Sequence, residues 1–470
     1  MFVLKFIPER NKNMIKFGTD GWRAILDDGF TAENVERVTL AIGKYVYETF
    51  GYQKEILVGY DPRNKADEFA LMCAELLYQK GFSVKLSEKV VPTPILAFNA
   101  KHLNACAIMF TASHNPPEYL GMKFIPDYAG PATSEITDKI VANLDCEYPF
   151  GKEGKYEKIN FMPAYYEHLK TLVDFDKIKG LKSNIIFDGL YSASIGYFDR
   201  ILDDNEIKYN SIHMEHDTNF GGGMPDPKPK YLKELIEKVK AEPNSIGLAN
   251  DGDADRFGII NENGEYVSPN EIIAILLKYL KEKGFEGSVV KTVGSSLLID
   301  NVAKKLGVNV IETAVGFKHV GEAMRLNQVI VGGEESGGLS ILGHIPEKDG
   351  LIANLLVLEA MANSNKKLSE LQDEIYEIAG CKFYTDRIDI KKSESDEIRE
   401  TLNLFKNLKN IGDFSITDMD TKDGVKLMLG ENTKILVRPS GTEPLLRIYF
   451  EAESIEKLEI LKKDIDKIVI

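Results

Sequence analysis

Apolar positions recur at two spacings along the chain, and the two alternate. Residues 31–50 (TAENVERVTLAIGKYVYETF) place Val35, Val38, Ile42 and Tyr45 at helical intervals, with Thr31 set to cap the first turn. The apolar run 54–61 predicts a strand entering a turn, 66–81 a helix ending at Gly81, and 82–86 another strand. ACAIMF (105–110) predicts a buried strand feeding the turn TASHNPP. Strand–helix–strand alternation of this kind predicts a parallel sheet with helices on both faces.

The alternation returns twice. Residues 183–188 and 245–250 predict strands of a second unit, and the latter runs into DGDADRFG. A third unit begins near NGEYVSPNEIIAILLKYLKEKG and continues through SVVKTV, NVIETAVG and VIVGGEESGG. The end of the chain differs. KILVRPSG and PLLRIYFEAE read as strands, and a closing helix carries Ile455, Leu458, Leu461, Ile465 and Ile468 on one stripe. The expected class is α/β, with three similar mixed α/β domains (1–153, 154–263, 264–378) and a smaller C-terminal α+β domain (379–470). The Gly/Pro-rich NFGGGMPDPKPK (219–230) reads as a loop inside the second unit.

Composition narrows the function classes. The 470 residues are 43% hydrophobic and 28% charged, ordinary for a multidomain globular chain. A net charge of −15 argues against nucleic acid or an anionic membrane as partner. No apolar run reaches the ~18 residues a membrane span needs, and MFVLKFIPERNK lacks a signal-peptide pattern, so a cytoplasmic protein is expected. Cys73, Cys106, Cys146 and Cys381 are widely spaced and form neither a disulfide framework nor a thiolate metal site. Among 58 basic residues only eleven are Arg, and Arg23, Arg63, Arg256 and Arg438 each fall in a Gly/Asp/Pro/Ser-rich turn, where sites are built.

Four segments can carry chemistry. In DGDADR, Asp251, Asp253 and Asp255 alternate with small residues, and in extended chain they would point the same way. Three convergent carboxylates repel, and a hard divalent cation relieves that repulsion. An EF-hand is excluded, since position six is Arg256 and the flanks read as strands; a solvated acidic turn is the alternative. In TASHNPPEYLGMK, Ser113 follows a buried strand, at the crevice of an open α/β sheet. There is no nucleophile elbow around it, and a hydrogen-bonding cap is the plainer reading; His114 and Lys123 carry no signal by themselves. VRPSGTEP offers Arg438, two hydroxyls and free backbone N–H groups, a generic anion cradle without the P-loop pattern. VGGEESGG brackets Glu334 and Ser336 with glycines, an acceptor and a donor suited to sugar hydroxyls.

Taken together, FGTDGWR (17–23), TASHNP (111–116), DGDADR (251–256), GEESGG (333–338) and RPSGTEP (438–444) resemble, in this order, the α-D-phosphohexomutase superfamily of phosphoglucomutases, phosphomannomutases and phosphoglucosamine mutases. The resemblance runs from about residue 15 to the end; residues 1–13 read as an extension, with Met14 a second candidate start. It implies four domains around a central cleft, each contributing one loop. It implies that Ser113 carries a phosphoryl group, that Ser113, Asp251, Asp253 and Asp255 hold one Mg²⁺, and that Arg256 lies beside the phosphoryl group. Lys123 becomes a general acid/base candidate, Arg23 supports the phosphoserine, His114 counts with them among the catalytic residues, and Glu334 and Ser336 read the sugar. Arg438, Ser440, Gly441 and Thr442 hold the non-reacting phosphate. A base role for Lys123 would need its pKa lowered by about 3 units, roughly 4 kcal/mol.

The implied reaction interconverts hexose 1-phosphate and hexose 6-phosphate through a phosphoserine enzyme and a hexose 1,6-bisphosphate, with glucose 1,6-bisphosphate as activator. The domains are expected to close over the substrate, because phosphoryl transfer must exclude water. The partners are small-molecule hexose phosphates, and the chain acts as monomer or homodimer. Some members carry His where this chain has Gly338 or Phe317, which leaves Lys318 of VGFK as a phosphate or sugar contact. These features lean toward glucose phosphate, with mannose phosphate also accepted. Phosphoglucosamine mutase is the alternative, and a Mg²⁺-dependent sugar phosphatase stands behind it.

Overall fold

The computed structural model describes residues 15–18, 20–147, 151, 154–391, 395–439 and 445–469. Three α/β units and a C-terminal domain follow one another along the chain. The first three share one strand plan. In the first, Ile56–Tyr60 pairs in parallel with both Ser83–Ser87 and Cys106–Phe110, and Tyr119–Ile125 then adds antiparallel to Cys106–Phe110. In the second, Asn184–Asp188 pairs in parallel with Tyr209–Ile212 and Ser245–Asn250, and Phe257–Ile260 adds antiparallel. In the third, Ser288–Thr292 lies between Val310–Thr313 and Val329–Gly333, and Leu339–Ile341 adds antiparallel. The C-terminal domain is an antiparallel sheet of five strands, with the helix Ile455–Val469 contacting Leu445–Ala452.

The sheets are therefore mixed and not purely parallel as the alternation predicts. The reason is local. The segments after Phe110, Asn250 and Gly333 are short hairpin connections, too short for the helical crossover that a parallel neighbour requires. Two ends of units also fall differently from the sequence expectation. Lys155–Ile159, a charged and largely exposed edge strand, pairs with Ser83–Ser87 and belongs to the first sheet. Tyr266–Val267 folds back on Phe257–Ile260 through a turn at Asn261–Gly264 and completes the second.

Local signals set the helices. Thr31 Oγ1 accepts from Asn34 N–H at the start of Ala32–Phe50, as predicted. Ser268 and Glu271 form a capping box ahead of Pro269–Glu282. The helix Gly350–Ser364 is buried along every residue from Gly350 to Met361, and Asp349 caps it by accepting from Leu351 N–H and Ile352 N–H. Its first residue packs on the Asp-rich loop, since Gly350 N–H donates to Ala254 O at 3.2 Å. One continuous apolar core runs through the first three units, from Leu57 and Ile95 through Tyr165, Phe187 and Leu248 to Ile272, Val331 and Leu355. The C-terminal domain has a separate core around Phe405, Ile435, Phe450 and Leu461.

Candidate active site

Three of the chemistry-bearing segments of the sequence occupy the tips of antiparallel hairpins. Residues 111–118 join Cys106–Phe110 to Tyr119–Ile125, 251–256 join Ser245–Asn250 to Phe257–Ile260, and 334–338 join Val329–Gly333 to Leu339–Ile341. Residues 440–444 join Lys434–Pro439 to Leu445–Ala452; Ser440, Gly441 and Thr442 lie outside the described residues.

The first two tips meet. Ser113 Oγ donates to Asp251 Oδ2 at 2.7 Å across the boundary between the first and second units, and both residues are buried. Gly252 permits the approach: a Cβ there would stand 2.5 Å from Ser113 O. Ser113 has φ +52°, a left-handed conformation that costs a non-glycine residue about 1–3 kcal/mol and persists only where surroundings enforce it. His114 Nδ1 lies 3.3 Å from Ser113 Oγ. Arg256, then burial, then Arg23 hold that imidazole well below its ordinary pKa, so it is neutral.

Ligand oxygens of Asp251, Asp253 and Asp255 lie within 4.8 Å of one another, and all three residues are fully buried. The small residues between them let the loop curl, as the sequence predicts, and the curl takes the place of extended chain. The segment is a run of turns and bends with Ala254 at φ +61°, so backbone curvature and not strand pleating aims the carboxylates. Asp253 Oδ1 and Asp255 Oδ1 are buried with no hydrogen-bond partner among the described residues. Burial, then Asp255 and Asp253, push Asp251 well above the usual carboxylate range. Asp253, against the same burial, is drawn down to about 2 by Lys123. Buried carboxylate oxygens without a hydrogen bond among the described residues, converging with a carboxyl whose charge its neighbours disfavour, fit a hard divalent cation.

Lys123 sits in a cage of carboxylates. Its Nζ is 2.8 Å from Asp20 Oδ2, 2.8 Å from Asp253 Oδ2 and 3.0 Å from Asp255 Oδ2. Burial opposes the charge, but the three carboxylates outweigh it and raise the ammonium well above its ordinary pKa. This is the reverse of the lowering a base requires: as found, Lys123 holds its proton. Lys348, which the sequence reading did not single out, shares the cage. Its Nζ lies 3.0 Å from Asp255 Oδ2 and 3.2 Å from Asp20 Oδ2. A lysine in EKDG carries no local signal; only the fold brings it here.

The third tip closes one side. Phe257 N–H donates to Gly337 O at 3.2 Å, joining the Asp-rich loop to GEESGG. Glu334 is buried and accepts from Ser336 Oγ at 2.5 Å; burial raises its pKa. Arg256 Nε is buried 3.9 Å from Asp255 Oδ1, with no hydrogen-bond partner among the described residues, and Asp255, Asp251 and Glu334 overcome burial to hold it charged. The stem of Lys348 crosses Gly338, where a Cβ would stand 2.5 Å from Lys348 Cδ, and Phe317 faces its ammonium at 5.6 Å. Lys318 is not part of this cluster: its Nζ donates to Ser134 Oγ of the first unit at 3.1 Å. Arg23 lies on the strand Gly21–Ile25 and not in a turn, and its Nη1 donates to Asn115 Oδ1 at 2.6 Å. Arg438, at the base of the fourth tip, pairs with Asp423 at 3.2 Å, and Asp423 also accepts from Val315 N–H at 2.9 Å.

Known proteins share this arrangement over nearly the whole chain. Profiles of the phosphoglucomutase/phosphomannomutase α/β/α domains I, II and III match residues 14–148, 163–264 and 268–378, and that of the C-terminal domain matches 391–468. A Thermococcus kodakarensis phosphoglucomutase/phosphomannomutase is 30% identical, over 94% of this chain and 95% of its own. A Methanocaldococcus jannaschii phosphoglucosamine mutase is 32% identical, over 96% and 97%. A crystal structure described under the phosphomannomutase name from Thermus thermophilus superimposes with a TM-score of 0.86 at 33% identity, over 97% of this chain and 99% of that one. The chain belongs to the phosphoglucomutase/phosphomannomutase family of the α-D-phosphohexomutase superfamily, and is a phosphohexomutase, an isomerase.

Proposed function

We propose that this phosphohexomutase is a Mg²⁺-dependent phosphoglucomutase that also accepts mannose phosphates, working through phospho-Ser113 and a hexose 1,6-bisphosphate. The observation that carries the reading is the 2.7 Å contact between Ser113 Oγ and Asp251 Oδ2 within a buried trio of convergent carboxylates. Asp251, Asp253 and Asp255 would hold the cation together with the Ser113 oxygen. When bound, it stabilises negative charge on the transferring phosphoryl group.

The chain's own residues supply the rest. Phosphate on Ser113 brings about −1.5 to −2 charge to a site already rich in carboxylates. Arg256, beside Asp255, and Lys123 and Lys348, held protonated by Asp20, Asp253 and Asp255, offset that charge. In each half-reaction the attacking sugar hydroxyl loses a proton and the departing Ser113 oxygen gains one, and Lys123, 2.8 Å from Asp253, is the group that relays it, giving its proton to the serine oxygen as it takes up that of the hydroxyl. Glu334 and Ser336 orient the sugar hydroxyls. Arg438 holds the distal phosphate, reading charge and not ring stereochemistry, so either end of the bisphosphate fits after it turns over. A coupled assay of glucose 1-phosphate conversion, primed with glucose 1,6-bisphosphate, tests the reading. Absence of turnover on any hexose phosphate by folded, phosphorylated protein rejects it.

A second reading, phosphoglucosamine mutase, is favoured by the names of several relatives, including the Methanocaldococcus protein. Rates on glucose, mannose and glucosamine phosphates rank the two.

A further inference from the structure

We propose that Arg63 is a positioning residue for the reaction at Ser113, acting through the loop that carries the serine and not through the substrate. A guanidinium has five N–H donors. In Arg63 all five are taken. Nη2 donates to Ser113 O at 2.6 Å and Asn115 O at 2.7 Å. Nη1 donates to Pro116 O at 2.8 Å and Tyr119 O at 3.0 Å. Nε donates to Asp61 Oδ2 at 3.2 Å. The residue is 3% exposed, and the ring of Phe220, from the Gly-rich loop of the second unit, faces the guanidinium carbon at 5.0 Å. With no donor left over and no open face, Arg63 has nothing to offer a phosphate.

The same ion pair holds the other side of the serine. Asp61 Oδ2 also accepts from Thr111 Oγ1 at 2.6 Å, and Thr111 Oγ1 in turn accepts from Ser113 N–H at 2.8 Å. Ser113 is thus fixed at its carbonyl by Arg63 and at its N–H through Asp61 and Thr111. These two restraints enforce its left-handed backbone at φ +52° and aim Oγ at Asp251. Phe220 and Gly252 bring the second unit against the same clamp, so the serine and the carboxylates are registered on one support.

The inference rests on Ser113 as the phosphoryl carrier. The test compares wild type, R63K, T111V and T111S. Lysine keeps the charge but offers three donors without a fork. A misplacement of about 1 Å at a reacting group costs ~100-fold in rate. R63K is therefore expected to lower kcat by ~100-fold, with KM for glucose 1-phosphate within about threefold of wild type. Its phosphoserine ³¹P resonance is expected to shift. T111V is expected to lose about tenfold in kcat and T111S to recover most of it. Folded R63K with kcat within about threefold of wild type, a loss carried by KM alone, or T111S no better than T111V overturns the proposal. If R63K does not fold, the Thr111 pair decides by itself. Wild type inactive on every hexose phosphate rejects the phosphoserine reading instead, which keeps the two failures distinct.

Discussion

Glycine at 338 leaves the path that Lys348 takes to Asp20 and Asp255, and a larger residue there contests it. Histidine at 338 and Lys348 in its observed course exclude each other. G338H is therefore predicted to lower kcat/KM for glucose 1-phosphate by tenfold or more, about 1.4 kcal/mol of transition-state stabilisation. G338A, which asks only a flexible stem to move, should cost less. Unchanged kinetics in G338H would mean that Lys348 does not contribute to the reaction from this position. The carboxylate trio makes a second prediction at the same scale. Burial and its two neighbours already favour the neutral form of Asp251. D251N should therefore raise Tm in EDTA, while cancelling the Mg²⁺-induced rise of wild type. That rise approaches ~2.7 kcal/mol at a hundred times Kd. Thermal shift with and without Mg²⁺ reads both signs at once.

Hairpin tips are the elements that matter most, and the sequence told what they carry better than how they are built. Ser113, Asp251, Asp253 and Asp255 were legible because a hydroxyl or three spaced acids after an apolar run are local patterns. Arg63 stood out as a rare arginine in a turn, but its clamp with Asp61, like Lys348 and Asp20, was not legible, because the partners lie dozens to hundreds of residues away. The strand plan was half legible. Apolar runs mark strands, but nothing in a short polar connection announces that the next strand returns antiparallel. The seam between the second and third units is another element no local pattern marks. His168, on Met162–Leu172, meets His344 with Nε2 to Nδ1 at 3.0 Å, and His344 Nε2 lies 2.8 Å from Asp349 Oδ2. Burial, then His344, lowers His168 to about 4 from an ordinary value near 6.5. Between those values the unfolded chain binds the extra proton, so stability falls as pH drops from 6.5 toward 4. His168 is only half-buried, and solvent screening reduces the size of the effect. H168Q is predicted to flatten this limb of a Tm-against-pH curve; an unchanged slope would place the acid sensitivity elsewhere.

Across the whole molecule, the first three units share one apolar core while the C-terminal domain keeps its own, and the contacts between them include many polar groups. Glu451 accepts from Leu297 N–H at 3.0 Å and from Ser296 Oγ, Asp423 accepts from Val315 N–H, and Lys426 pairs with Glu312. Polar contacts of this kind can rearrange without exposing a core, so if the molecule closes on its substrate, the C-terminal domain is the part expected to move as a body. Glucose 1,6-bisphosphate is predicted to compact the protein in small-angle scattering by drawing Arg438 toward the Ser113 cluster; identical scattering with and without it would contradict closure. The proposed reaction requires the phosphoryl group to rest on Ser113 between half-reactions. Intact-mass and peptide mapping after incubation with glucose 1,6-bisphosphate and Mg²⁺ measures that directly. The prediction is one phosphate, on Ser113, absent from S113A, whose turnover falls by ~10⁴-fold or more. Phosphate on another residue, or full turnover in S113A, would contradict it.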